Sequence, residues 1–114
     1  MIAVGVDIIE IARFKAIGNG KLQRVMEFFL CPEEISGVSC SADIYQHLAS
    51  RFALKEAVFK AMPEPIGYHD FIVSKQDGLK PQIRFLKTEF NKYQIAVSLA
   101  HTENSAIGFA VVSS

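Results

Sequence analysis

Three features of these 114 residues predict an α+β fold, a small antiparallel sheet packed on one long helix. The first is a helical run from about residue 42 to residue 62 that is apolar nearly all round, the pattern of a buried helix. The second is an opening stretch, Ile2 to Ile9, rich in β-branched residues and alternating in character. The third is a change of period from 3.6 to 2 after Gly67, where two further hairpin-like pairs of segments occur.

Whole-chain numbers narrow the classes. The chain is long enough for one domain with a real core. Half of it is hydrophobic and 21% is charged, which describes a globular protein rather than a disordered one. Formal net charge is zero, so no whole-molecule attraction to nucleic acid or membrane is implied. No stretch approaches the roughly 20 apolar residues of a membrane span, and the first residues lack a signal-peptide pattern. Cys31 and Cys40 lack metal-type spacing and read as free thiols, which points to the cytoplasm.

In the first strand Ile2, Val4, Val6 and Ile8 share one face, while Gly5 and Asp7 share the other. Glycine there lets another group approach closely. Asp7 is either a strand-end acid that caps the next helix or half of a carboxylate pair. A short helix is expected from Glu10 to about Ile17, a turn at Gly18-Asn19-Gly20 and a helix from Leu22 to Leu30. Pro32-Glu33-Glu34 opens a brief third helix, proline being suited to a first turn. A polar loop, Gly37 to Ser41, leads to the long helix, with Ser41 as its N-cap and Asp43 in its first turn. Between Glu10 and Glu27 no acid occurs, while Arg13, Lys15, Lys21 and Arg24 supply four of the twelve basic residues. Such a patch on a neutral chain is either a solvated face or a dock for an acidic partner.

On the long helix Tyr45, Leu48, Ala49, Phe52 and Phe59 form one stripe, and Leu54, Ala57, Val58 and Ala61 the opposite side of its second half. Glu56 lies beside Phe52 and Phe59 and needs a partner, since an unpaired charge among aromatics is costly. Lys60, an i,i+4 neighbour, is one candidate. A divalent cation shared with a second acid is the other. Beyond Pro63, strands are expected at Asp70 to Ser74 and Gln82 to Phe85, joined through Gln76-Asp77-Gly78. A short helix at Thr88 to Lys92 precedes a second hairpin, Gln94 to His101 and Ala106 to Val112. His101 ends the apolar row Ile95, Val97, Leu99, either as a hydrogen-bonded strand terminator or as a functional group.

Three segments carry a resemblance. Val4-Gly5-Val6-Asp7-Ile8-Ile9-Glu10-Ile11-Ala12-Arg13-Phe14 resembles the opening of the holo-acyl carrier protein synthases, the short class of 4′-phosphopantetheinyl transferases. Arg51-Phe52-Ala53-Leu54-Lys55-Glu56-Ala57 with Lys60-Ala61 resembles their second motif, and Val97-Ser98-Leu99-Ala100-His101-Thr102 their third. Order, separations and length agree, so the resemblance spans essentially the whole chain and implies a 4′-phosphopantetheinyl transferase-like fold in one domain.

It also implies a reaction: transfer of the phosphopantetheine arm of coenzyme A to a serine of apo-acyl carrier protein, with release of 3′,5′-ADP. By match to the motifs Asp7 and Glu56 would hold Mg²⁺, a hard cation that takes oxygen ligands. Lys60 and Arg51 would meet phosphates, His101 and Thr102 would contact the coenzyme, and Gly67 would line its site. Glu56 is the first choice for general base. Arg13 matches a carrier-docking position, with Lys15, Lys21 and Arg24 extending the patch. A homotrimer with sites between subunits is implied as well. Two departures stand out. Met62-Pro63-Glu64-Pro65-Ile66 replaces a glycine-rich turn, with prolines that remove backbone donors and an acid that would repel phosphate. Gly78-Leu79-Lys80-Pro81 separates residues the family more often has adjacent. The competing class is a catalytically impaired module that binds coenzyme A or carrier on the same fold.

Overall fold

The computed structural model describes residues 1–75 and 79–114, so the Gln76-Asp77-Gly78 turn lies outside the described residues. Strand β1 (Ile2–Glu10) leads into a single helical turn, α1 (Ala12–Lys15), and then α2 (Asn19–Phe29) and α3 (Pro32–Ser39). The long helix α4 (Ile44–Ala61) is next. After it come β2 (Phe71–Ser74), β3 (Gln82–Phe85), a 3₁₀ turn (Thr88–Phe90), β4 (Gln94–His101) and β5 (Ser105–Ser113). β1, β5 and β4 form an antiparallel sheet in that order, and β2 pairs antiparallel with β3. The expected α+β architecture is the one observed.

The sheet lies against α4 because its facing residues are small. Ala53, Ala57 and Ala61 recur every fourth residue and are fully or almost fully buried. Opposite them stand Gly5 of β1 and Gly108 of β5. A Cβ on Gly5 would sit 2.0 Å from the Ala57 carbonyl oxygen, and one on Gly108 would sit 2.6 Å from that of Ala53. The expected close approach at Gly5 is therefore backbone against backbone.

α4 divides the core. Its first half, through Leu48, Ala49 and Ala53, packs with Phe14, Met26, Phe29, Leu30 and Val38. Its second half, through Leu54, Ala57, Val58 and Ala61, packs with Phe71, Val73, Phe90, Ala110 and Val112. Burial of each large apolar side chain among these is worth about 1.5–3 kcal/mol.

Several expected boundaries move. α4 begins at Ile44, and its N-cap is Asp43, whose Oδ1 accepts the Gln46 N–H at 3.2 Å. Ser41 instead accepts the Asp43 N–H, so the cap belongs to the residue whose carboxylate reaches the third helical position. Glu10 remains in β1, and α1 is shorter than expected. Gly20 and Gly37 both lie inside helices rather than in loops. α3 has proline at its start and a capping box, in which Glu34 accepts the Cys31 N–H at 2.9 Å. Asp70 precedes β2 rather than opening it, because its carboxylate accepts the Gly67 N–H at 2.7 Å.

Among the described residues, nothing packs on one face of the three-stranded sheet. Ile2, Val4, Val6 and Ile8 of β1 and Phe109 of β5 are exposed, Ile2 by 78% and Val6 by 54%. Val6 pairs with Phe109 and Ile8 with Ile107, so these side chains form one continuous apolar surface.

Candidate functional site

Alternation along β1 turns Asp7 toward α4, and Gly5 lets the strand lie close enough for contact. Lys60 Nζ donates to Asp7 Oδ1 at 3.1 Å and to the Val6 carbonyl at 2.9 Å. Of the two partners considered for Glu56, Lys60 is thus not the one formed, because Asp7 holds its ammonium group. Glu56 lies one helical turn before Lys60 on the same face. Its Oε1 accepts a bond of 2.5 Å from the Tyr68 hydroxyl. Burial, followed by the bond to Glu56 and its charge, raises the Tyr68 phenol well above its ordinary value, so it remains a donor at neutral pH.

Among the described residues no hydrogen bond engages Asp7 Oδ2 or Glu56 Oε2, and no group of three or more metal-type side chains occurs. A cation here would have two carboxylates from the chain and the rest of its shell from water or a bound phosphate. That donor set fits Mg²⁺, which takes oxygen ligands and keeps several waters.

Arg51 and His101 line a separate cleft of about 830 Å³, together with Cys40, Ser41, His47 and Lys75. Arg51 Nη1 is buried with no hydrogen-bond partner among the described residues, and burial lowers the guanidinium from its ordinary value. A buried orphan donor on a cation fits an incoming anion. Burial, then the charges of Arg51 and Lys75, also hold His47 below its usual value, leaving it neutral at pH 7. Thr102 lies just beyond β4, and its Oγ1 accepts from Asn104 N at 3.2 Å and Ser105 N at 3.1 Å, closing the hairpin turn. Gly67 gives its N–H to Asp70.

Arg13, Lys15, Lys21 and Arg24 are all exposed on α1 and α2, and none pairs with an acid among the described residues. Arg13 also borders an apolar cavity of about 170 Å³ lined by Phe14, Val25, Phe28 and Phe52. Phe28 is 66% exposed at its rim.

The loop after α4 is anchored in several places. Glu64 accepts from the Tyr93 hydroxyl and pairs with Lys92 at 3.3 Å. The bond from Tyr93, then Lys92, holds its carboxyl below the usual range, so the expected repulsion of phosphate is offset by a neighbouring cation. Within α4 itself, Lys55 is fully buried and donates to Glu34 Oε1 at 2.8 Å, to the Tyr68 carbonyl at 2.6 Å and to the Phe71 carbonyl at 3.1 Å.

Sequence reasoning did not find Tyr68, His47 or the Glu34–Lys55 pair. Lys55 had a signal: it comes two turns after Leu48 and one turn before Phe59, inside the apolar stripe. Tyr68 had none, since it sits beyond a loop whose path sequence does not define.

A model of the 4′-phosphopantetheinyl transferase superfamily matches residues 3–110. The chain is 34% identical over 113 residues to a holo-[acyl-carrier-protein] synthase of Chlorobaculum parvum, covering 96% of each. It superposes on the crystal structure of the Helicobacter pylori holo-[acyl-carrier-protein] synthase in complex with coenzyme A with a TM-score of 0.81 and 30% identity, covering 96% of this chain and 99% of that one. A Bacillus anthracis holo-(acyl-carrier-protein) synthase in complex with coenzyme A (3′,5′-ADP) superposes with the same TM-score of 0.81 at 27% identity, covering 98% and 96%. With all three motif segments, 4–14, 51–61 and 97–102, inside the matched span, the chain belongs to the 4′-phosphopantetheinyl transferase superfamily and is an enzyme of that class.

Proposed function

We propose that this chain transfers the 4′-phosphopantetheine arm of coenzyme A to a serine hydroxyl of apo-acyl carrier protein and releases 3′,5′-ADP. The observation that carries the reading is the junction of β1 and α4, where Lys60 pairs with Asp7 and Glu56 precedes Lys60 by one turn on the same helix. Asp7 and Glu56 would hold Mg²⁺, which when bound polarises the phosphoryl group and offsets the leaving group's charge. Lys60 turns from the Asp7 carboxylate to the pyrophosphate, a charge-assisted contact. Glu56 accepts the proton of the attacking serine. Arg51 offers its orphan Nη1 to a phosphate, and His101 and Thr102 flank the nucleotide at the end of β4.

Arg13 docks the acidic carrier, with Lys15, Lys21 and Arg24 extending the field. The cavity beside Arg13, with Phe28 at its rim, takes an apolar side chain of that carrier. Gly67 contributes shape to the coenzyme site rather than a donor, since Asp70 holds its N–H.

The chain acts as one domain and assembles as a homotrimer through the apolar sheet face. The metal-binding pair and the Arg51 cleft are separate in one chain, which suits sites completed by a neighbour. Free thiols at Cys31 and Cys40 suit a cytoplasmic location.

The test is an intact-mass measurement of an apo-acyl carrier protein after incubation with this protein, coenzyme A and Mg²⁺. The carrier gains one phosphopantetheine, and EDTA or Glu56→Gln abolishes the gain while the variant's circular dichroism is unchanged. Binding of coenzyme A without any gain would instead identify a catalytically impaired binding module.

A further inference from the structure

We infer that Tyr68 is a positioning residue for the transfer reaction, a clamp that fixes the carboxylate of Glu56. The inference rests on the role proposed for Glu56 and extends it to a residue outside the three motifs. A glutamate on a half-exposed helix surface has three rotatable bonds, and its carboxylate samples several positions unless something holds it. Here the Tyr68 hydroxyl takes Oε1 at 2.5 Å and leaves Oε2 unengaged among the described residues.

The tyrosine is itself fixed at both ends. Its carbonyl accepts from Lys55 at 2.6 Å, and Lys55 is locked to Glu34, a carboxylate that also accepts the N–H groups of Cys31 and Val73. Its ring lies against Phe59 at 4.6 Å and Phe28 at 5.4 Å between centroids, with Phe52 and Phe29 beyond. Lys55 and Glu56 are consecutive on α4, so one helical turn grips the backbone of Tyr68 and receives its hydroxyl. Packing alone would be served by phenylalanine. The hydroxyl is what a positioning role requires, and it is aimed at one acceptor.

The experiment compares the wild type with Tyr68→Phe, Glu56→Gln and the double variant in the full chain. Tyr68→Phe keeps the ring and is expected to lower kcat about ten- to hundredfold, the usual cost of losing a partner that orients a ligand, with both KM values changed by less than about threefold. Affinity for Mn²⁺, read from the electron paramagnetic resonance of the free ion without substrate, falls as well. In the Glu56→Gln background Tyr68→Phe has no further effect on Mn²⁺ affinity, because the hydroxyl acts through that carboxylate.

Wild-type kcat and Mn²⁺ affinity in Tyr68→Phe would overturn the assignment. So would a change confined to KM, or an effect that persists in the Glu56→Gln background. If the wild type itself transfers nothing, the functional reading fails, while the Mn²⁺ cycle still decides whether Tyr68 acts on Glu56.

Discussion

Lys55 and Glu34 show how much one residue pair can hold. Both side chains are fully buried, and between them they bind two carbonyls and two amides from three separate segments. A buried pair is weak evidence of net stabilisation against an apolar replacement, but breaking it strands a charge. Lys55→Met should therefore cost about 3–5 kcal/mol in urea denaturation, by leaving Glu34 unpaired. Adding Glu34→Gln should restore part of that loss; a double variant as unstable as the single one would mean the lost contacts to Tyr68 and Phe71 dominate. Arg13 belongs to the other kind of charge, exposed and unpaired among the described residues. Arg13→Glu should raise the apparent KM for carrier protein far more than that for coenzyme A, since it would reverse the proposed docking charge without touching the cleft at Arg51. A change confined to coenzyme A would remove Arg13 from the docking surface.

Among the elements, β1 and α4 are the most legible in the sequence, and for a shared physical reason. Alternation in β1 and an all-round apolar pattern in α4 both reflect burial, and burial is what sequence patterns record. Gly5 marks a point of close approach by residue type alone, and the nearest atom to its missing Cβ is a helix carbonyl. Gly108→Ala should then push β5 from α4 and lower the melting temperature by several degrees, as a packed-core overfill of about 1–3 kcal/mol does. An unchanged melting temperature would mean that the sheet shifts freely along the helix. Gly20 and Gly37 mislead in the opposite direction, suggesting loops where helices run. Glycine costs a helix about 1 kcal/mol relative to alanine, and packing of Met26, Phe29 and Val38 outweighs that preference. Within the site, Asp7, Glu56 and Lys60 are legible as candidates, but their pairing is not. Which acid meets the lysine depends on how far a strand slides along a helix, and Tyr68 reaches Glu56 through a loop with no periodic signal.

At the scale of the molecule, a continuous apolar face on an otherwise neutral protein calls for a cover. Val6→Asp, at the centre of that face, should convert the proposed homotrimer to single chains in light scattering and abolish transfer with it. A variant that keeps both the assembly and the activity would remove the sheet face from the interface. β1 presents Val6 and Ile8 outward and Asp7 inward, so in the proposed homotrimer a subunit covering one side of the strand would brace the other. Assembly and chemistry would then be linked by mass action. Specific activity should fall on dilution, with a midpoint set by the dissociation constant of the subunits, and the melting temperature should rise with protein concentration. The concentration of the enzyme would thereby act as a control on its own turnover, exerted through the back of a single strand.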